Sequence, residues 1–120
     1  MTTRRLTLAA SLALPALLLV FVLALLSSCD KPLTQTEADG KDLYEVHCYE
    51  CHDENQVELK TPPPKLHQLF AKSTLPDGVT PATDDAVRRV IRYGKRTMPA
   101  SNGLLGDEQI ADIVAYLHRK

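Results

Sequence analysis

Cys48-Tyr49-Glu50-Cys51-His52 sets two thiols three residues apart and puts an imidazole directly after the second. On a helix, residues i and i+3 share a face, so the two sulfurs can reach the vinyl groups along one edge of a porphyrin. His52 can then turn its imidazole under the ring as the proximal iron ligand. The expected cofactor is one haem c, covalent through Cys48 and Cys51. Two other chemistries use close cysteine pairs. A structural zinc site needs a second ligand pair, commonly another C-x-x-C or an H-x-x-x-H, and no cysteine follows Cys51. A thioredoxin-type pair needs a strand-to-helix setting within a βαβ pattern, which the chain lacks.

The elements that must position this motif fit in one modest domain. The chain has 120 residues, and removing a targeting segment leaves the stretch from Cys29 onward, enough for a small core. It has no Trp and only two Phe, so a large apolar cofactor would substitute for aromatic core material. The three cysteines imply no disulfide framework, since two are claimed by haem and Cys29 sits at the edge of an apolar segment. The formal charge is −1, and nothing points to a nucleic-acid partner. Between Glu37 and Glu58 there are eight carboxylates and one lysine, whereas Arg88, Arg89, Arg92, Lys95 and Arg96 cluster later, so the molecule should carry a dipole.

Arg4 and Arg5 precede an uncharged stretch from Leu6 to Cys29, a positive region followed by an apolar one. Leu26-Ser27-Ser28-Cys29 resembles the bacterial lipobox, which implies cleavage before Cys29 and acylation of that residue. The alternative is an uncleaved anchor, since the apolar run is long enough to span a bilayer and Pro15 is a tolerated kink. Either way the domain is tethered to a membrane from outside the cytoplasm. General secretion suits the segment better than twin-arginine export. Resemblance to lipoproteins of enteric-type bacteria implies that Asp30 favours retention at the inner membrane.

Past a short linker containing Pro32, Thr34 and Glu37 form a possible capping box for a helix that runs to His47. Leu43, Val46 and His47 are expected on one face of it, with Gly40 above them permitting close approach of another helix. Asp53 to Thr61 reads as a polar loop stiffened by Pro62-Pro63-Pro64 into a rigid turn. Lys65 to Lys72 is expected as a short helix and Ser73 to Pro81 as a loop. A second clear helix spans Thr83 or Asp84 to Tyr93, with Val87, Val90 and Ile91 inward and Gly94 as its stop. After the exposed Lys95-Arg96-Thr97-Met98-Pro99 loop, a last helix from about Asp107 to His118 buries Ile110, Ile113, Val114 and Leu117. No alternating pattern marks a strand.

From Thr36 to His118 the chain resembles a class I cytochrome c. The resemblance rests on Gly40 with Leu43-Tyr44, the C-x-x-C-H, the stretch Pro64-Lys65-Leu66-His67-Gln68-Leu69-Phe70, Tyr93-Gly94 with Met98-Pro99, and Tyr116 on the last helix. It implies an all-α cytochrome c fold: three main helices, a short helix and loops around one covalent haem. Residues 1–28 are then a lipoprotein-type signal peptide, 29–36 a tether and 37–120 the cytochrome c domain. It also implies that the Pro64 carbonyl accepts the His52 Nδ1–H, that Met98 is the sixth iron ligand, and that Tyr116 crosses the first helix near Gly40. Met98 is the only methionine besides Met1, while His47, His67 and His118 are rivals for the distal site, His67 the strongest. The chain departs from the family in having Ser101 where an aromatic is common, and in lacking a Trp near a haem propionate.

With His52 and Met98 as axial ligands the iron has no open site, so the implied role is one-electron transfer between redox proteins and not enzyme catalysis, with no small-molecule substrate. The expected location is the periplasmic face of the inner membrane, lipid-anchored through Cys29. A dedicated subunit of a membrane dehydrogenase, reductase or oxidase is the main alternative. A haem sensor or enzyme with a displaceable Met98, and a haem-free thiol oxidoreductase, are others. Lys95 and Arg96, beside Met98, are expected to form a basic rim for an acidic partner.

Overall fold

The computed structural model describes residues 31–54, 56 and 58–120. The expected signal peptide and Cys29 lie outside the described residues. The chain divides into the units Met1–Pro32 and Leu33–Lys120, and the second holds every element described below.

Helix α1, Gln35–His47, begins where the sequence predicts. Thr34 Oγ1 accepts the Glu37 N–H at 3.3 Å, and the Glu37 carboxylate accepts the Thr34 N–H at 2.7 Å, so two otherwise orphaned donors are satisfied reciprocally. The single turn α2, Tyr49–His52, follows directly. Helix α3, Asp84–Tyr93, starts on a Thr83 side-chain cap and carries Asp84 and Asp85 at its positive end. Helix α4, Asp107–Leu117, closes the fold. Among the described residues there is no strand, only isolated bridges at Thr74–Pro81, Lys95–Met98 and Asn102–Leu105.

Packing centres on α4, which lies against α1 and, over a smaller contact, α3. Its Ile110, Ile113, Val114 and Leu117 are all buried, the one-stripe outcome that their i, i+3, i+4, i+7 spacing requires. Val87 and Ile91 of α3 are buried as well, with Val90 half-buried at the margin. Where α1 and α4 cross, the Tyr44 and Tyr116 ring centroids lie 5.5 Å apart with planes inclined by 59°, within the tilted geometries that aromatic pairs favour.

Two sequence expectations change. Val46 is 74% exposed and His47 is exposed too, because α1 turns Gly40 and Tyr44, one turn apart, toward α4. At 3.6 residues per turn Val46 lies about 240° round from Gly40, and only Leu43 of the expected set packs on the core. The helix expected over 65–72 shrinks to a 3₁₀ turn at Leu69–Ala71. Three prolines hold the chain extended as it enters this stretch, and Gln68 at φ 52° leaves the right-handed helical region.

Gly40 is where the crossing is closest. A Cβ there would lie 1.9 Å from the Asp112 carbonyl oxygen and 2.4 Å from its carbon. Alanine ordinarily favours a helix by about 1 kcal/mol over glycine, but a backbone obstacle cannot rotate away. Gly40→Ala is expected to destabilise the domain by roughly 1–3 kcal/mol, seen as a lower urea midpoint at unchanged m-value.

Candidate functional site

The sulfurs are placed by the way α1 hands over to α2. Cys48 caps α1 with its N–H on the Tyr44 carbonyl at 2.8 Å, and its own carbonyl accepts the N–H of Cys51 at 3.2 Å and of His52 at 2.9 Å. This single turn puts both half-buried cysteines on one face and sends the His52 ring inward, where the residue is 7% exposed. His52 Nδ1–H donates to the Pro64 carbonyl at 2.8 Å. That bond fixes the ring and leaves Nε2 as the nitrogen with a free lone pair. Among the described residues nothing hydrogen-bonds Nε2. A buried imidazole oriented on one side and unpartnered on the other fits a metal ligand.

The two rival chemistries fit less well. Burial first, then the charges of Cys51 and Asp53, push the Cys48 thiol up to about 11, whereas a redox-active pair needs a depressed thiol. Among the described residues no group of three or more His, Cys, Asp or Glu could hold a metal by itself, which leaves a zinc knuckle without its second ligand pair.

Met98 sits on a loop held from both ends. Its N–H donates to the Lys95 carbonyl at 3.0 Å and its carbonyl accepts the Lys95 N–H at 3.1 Å, closing a four-residue turn with Arg96 at φ 55°. Gly94, at φ 73°, ends α3, and a Cβ there would lie 2.5 Å from the Met98 carbonyl oxygen. Glycine is therefore needed both for the backbone angle and for the approach. Downstream, Ser101 donates to the Ile91 carbonyl through its N–H at 3.0 Å and its hydroxyl at 2.7 Å. The residue at the position where the family often has an aromatic thus ties the loop to α3. Met98 is half-buried and packs, like Cys48 and Leu66, against the hydrophobic core.

The three rival histidines are occupied or remote. His67 is exposed and its Nδ1–H donates to the Lys120 carbonyl at 2.8 Å. His118 stacks on Phe70, with centroids 3.8 Å apart, and its Nε2 meets Asp84 at 2.9 Å. His47 is exposed at the end of α1.

Asp53, which the sequence reading passed over as loop, is a hub. Its carboxylate accepts the Tyr44 hydroxyl at 3.2 Å and the Lys120 ammonium at 2.7 Å. The side chains of Lys120 and Asp53 are only 9% and 14% exposed. Burial opposes the charge on Asp53, but Lys120 and Tyr44 outweigh it and hold the carboxyl below its ordinary range. The same burial, with the Asp53 charge, raises the Tyr44 hydroxyl well above its ordinary value.

Residues 35–117 match the family model described as "Cytochrome C oxidase, cbb3-type, subunit III". The chain belongs to this family of c-type cytochromes. The cytochrome is 30% identical over 83 residues to cytochrome c6 of Limnospira maxima, an alignment covering 67% of this chain and 88% of that one. Among solved structures it resembles cytochrome c6 from the diatom Phaeodactylum tricornutum, with a TM-score of 0.54 and 26% identity over 69% of this chain and 91% of the other. The all-α cytochrome c fold is thereby established, as is a covalent haem c on Cys48 and Cys51. The cytochrome is a haem electron carrier.

Proposed function

We propose that His52 Nε2 and the Met98 thioether would both hold the haem iron, which would leave the carrier no open coordination site. The observation that carries this is the His52–Pro64 bond at 2.8 Å with the opposite nitrogen buried and unpartnered. The self-closed turn around Met98 supports the second ligand. Bound haem supplies the one-electron Fe(II)/Fe(III) couple, and a thioether ligand favours the reduced form and raises the potential. Pro64 keeps the imidazole aimed, and the Lys95–Met98 turn holds the sulfur in register. Neither ligand has to leave, so the protein exchanges electrons with redox proteins through outer-sphere contact and catalyses no reaction of its own.

The docking face differs from the rim expected on sequence. The Lys95 ammonium is paired with Asp77 and also meets Thr80, so its charge is largely spent. This pairing, first among the causes, holds the Asp77 carboxyl far below its usual range. Arg92 pairs with Asp107. Arg88 and Arg89 are exposed and line a groove on α3 with Asp85, Arg92 and Tyr93, and Tyr93 is 64% exposed. Arg96 is exposed at the tip of the Met98 turn. An acidic redox partner would find its basic counterpart at Arg88, Arg89 and Arg96, with Tyr93 as an amphipathic contact.

The segment before the domain is read as a lipoprotein signal peptide, residues 1–28, with a tether over 29–36 and the cytochrome c domain over 37–120. Lipidated Cys29 would hold the domain at the periplasmic face of the inner membrane. No helix among the described residues is long and apolar enough to cross a membrane. A second reading, a dedicated subunit of a membrane oxidase, is favoured by the description of the matching family.

Three measurements test these points. The oxidised protein should show a thioether-to-iron charge-transfer band in the near infrared, lost in Met98→Ala, and the reduced protein should leave added CO unbound; CO binding by the parent would instead indicate a displaceable Met98. Arg88→Glu combined with Arg89→Glu should slow electron transfer from an acidic flavodoxin about tenfold at low salt and flatten its ionic-strength dependence, with an unchanged rate and salt slope removing this face from docking. Mass spectrometry of the amino-terminal peptide from envelope fractions should find acylated Cys29 as the first residue, and an intact precursor with unmodified Cys29 would replace lipidation by a retained anchor.

A further inference from the structure

We propose that Asp53 is a positioning residue for His52, setting the orientation of the proximal imidazole by joining three parts of the chain just behind it. The inference rests on the ligation proposed above.

Asp53 is the residue after His52, and its N–H continues the turn of α2 by donating to the Tyr49 carbonyl at 2.9 Å. Its carboxylate is gripped from two elements at once. Tyr44, 1% exposed on α1, donates its hydroxyl. Lys120, just past α4, donates its ammonium and lies 4.6 Å above the Tyr44 ring. A carboxylate this enclosed, answered by one cation and one hydroxyl, has a single favourable position. Lys120 is itself anchored, because its N–H reaches the Tyr116 carbonyl at 3.1 Å and its carbonyl accepts His67 Nδ1–H.

The backbone of Asp53 completes the arrangement. Its carbonyl accepts the Lys65 ammonium, and Lys65 follows Pro64, whose carbonyl holds His52. Residues 52–53 and 64–65 are thus joined by two bonds running in opposite senses, His52 to Pro64 and Lys65 to Asp53. Four points close a small ring in which neither the imidazole nor its acceptor can shift alone. The carboxylate fastens that ring to α1 and to the end of α4. Removing it frees the ring from the helices while leaving every bond to His52 itself in place, so the effect on the iron is indirect.

The variants to compare, as holoprotein, are Asp53→Ala, Asp53→Asn, Lys120→Met and the core control Val114→Ala. The parent's low-spin EPR spectrum, with His52→Ala abolishing it, tests the ligation by itself. Given that ligation, Asp53→Ala should move the g-values, which report the axial ligand planes, and should speed solvent exchange of the His52 Nδ1 proton on the order of tenfold. Lys120→Met should do the same to a smaller extent should Asp53→Ala fail to accumulate. Asp53→Asn, which keeps an acceptor for Tyr44, should fall between. Val114→Ala should lower the melting temperature with g-values and exchange unchanged. If Asp53→Ala and Lys120→Met lower the melting temperature yet keep the parent's g-values and exchange rate, Asp53 is a stability residue only and the proposal is overturned.

Discussion

A proline carbonyl 2.8 Å from His52 Nδ1 does for this protein what no side chain could do as economically. Proline has no N–H that needs an acceptor, while its carbonyl remains available to accept from His52 and its φ is fixed. The acceptor therefore arrives on a rigid segment, and the imidazole is steered through a nitrogen remote from the chemistry. The other parts of the domain can be understood as keeping this one bond where it is. The handover from α1 to α2 brings His52 inward, the three-proline turn brings Pro64 back, and the helix pair behind them provides an unyielding wall.

That wall is built with little material. Among the described aromatic residues only Tyr44 is fully enclosed, and the rest of the buried apolar set is mostly aliphatic and drawn from α3 and α4. A thin core of this kind keeps its shape by close approach of backbones at Gly40 and by tilted contact of Tyr44 with Tyr116. The distal side follows the same economy. The Met98 loop pairs the Lys95 and Met98 amides with each other's carbonyls, and Ser101 just downstream ties it to the Ile91 carbonyl. A thioether presented this way, as the ligand proposed above, would have few neighbours to rearrange when the charge on the metal changes, which would suit rapid electron exchange.

How far the sequence could be read depended on how local each feature was. The Cys48–His52 spacing is enforced by covalent chemistry within five residues and is legible at once. Helices α3 and α4 were legible because Val87, Ile91, Ile110, Ile113, Val114 and Leu117 repeat at helical spacing, and the start of α1 because Thr34 and Glu37 satisfy each other three residues apart. On α1 the close approach at Gly40 was legible, but the apolar face was placed on Leu43, Val46 and His47 because Tyr44 stands among charged residues and Leu43 and Val46 dominate any apolar count. The 65–72 helix failed because the prolines before it hold the chain extended and because Gln68 turns left-handed, neither of which shows in apolar spacing. Pro64 was reached only through family resemblance. Asp53 was hidden twice over: it lies in a run of carboxylates that looks solvated, and its partners are at positions 44, 65 and 120. The Lys95–Asp77 pair escaped for the same reason.

The contact between Gly40 and the Asp112 backbone joins the first helix of the domain to the last. Closing so long a loop carries an entropic cost that only the finished pair of helices repays. Within the domain the first partner is made first and the second last, so α1 has nothing to pack on while most of the domain emerges. Short isolated helices are marginal in water. The growing chain consequently stays open until its final helix is complete, and the cysteines and His52 are the part of the site whose chemistry needs no fold: they lie within one turn of each other from the moment they are made.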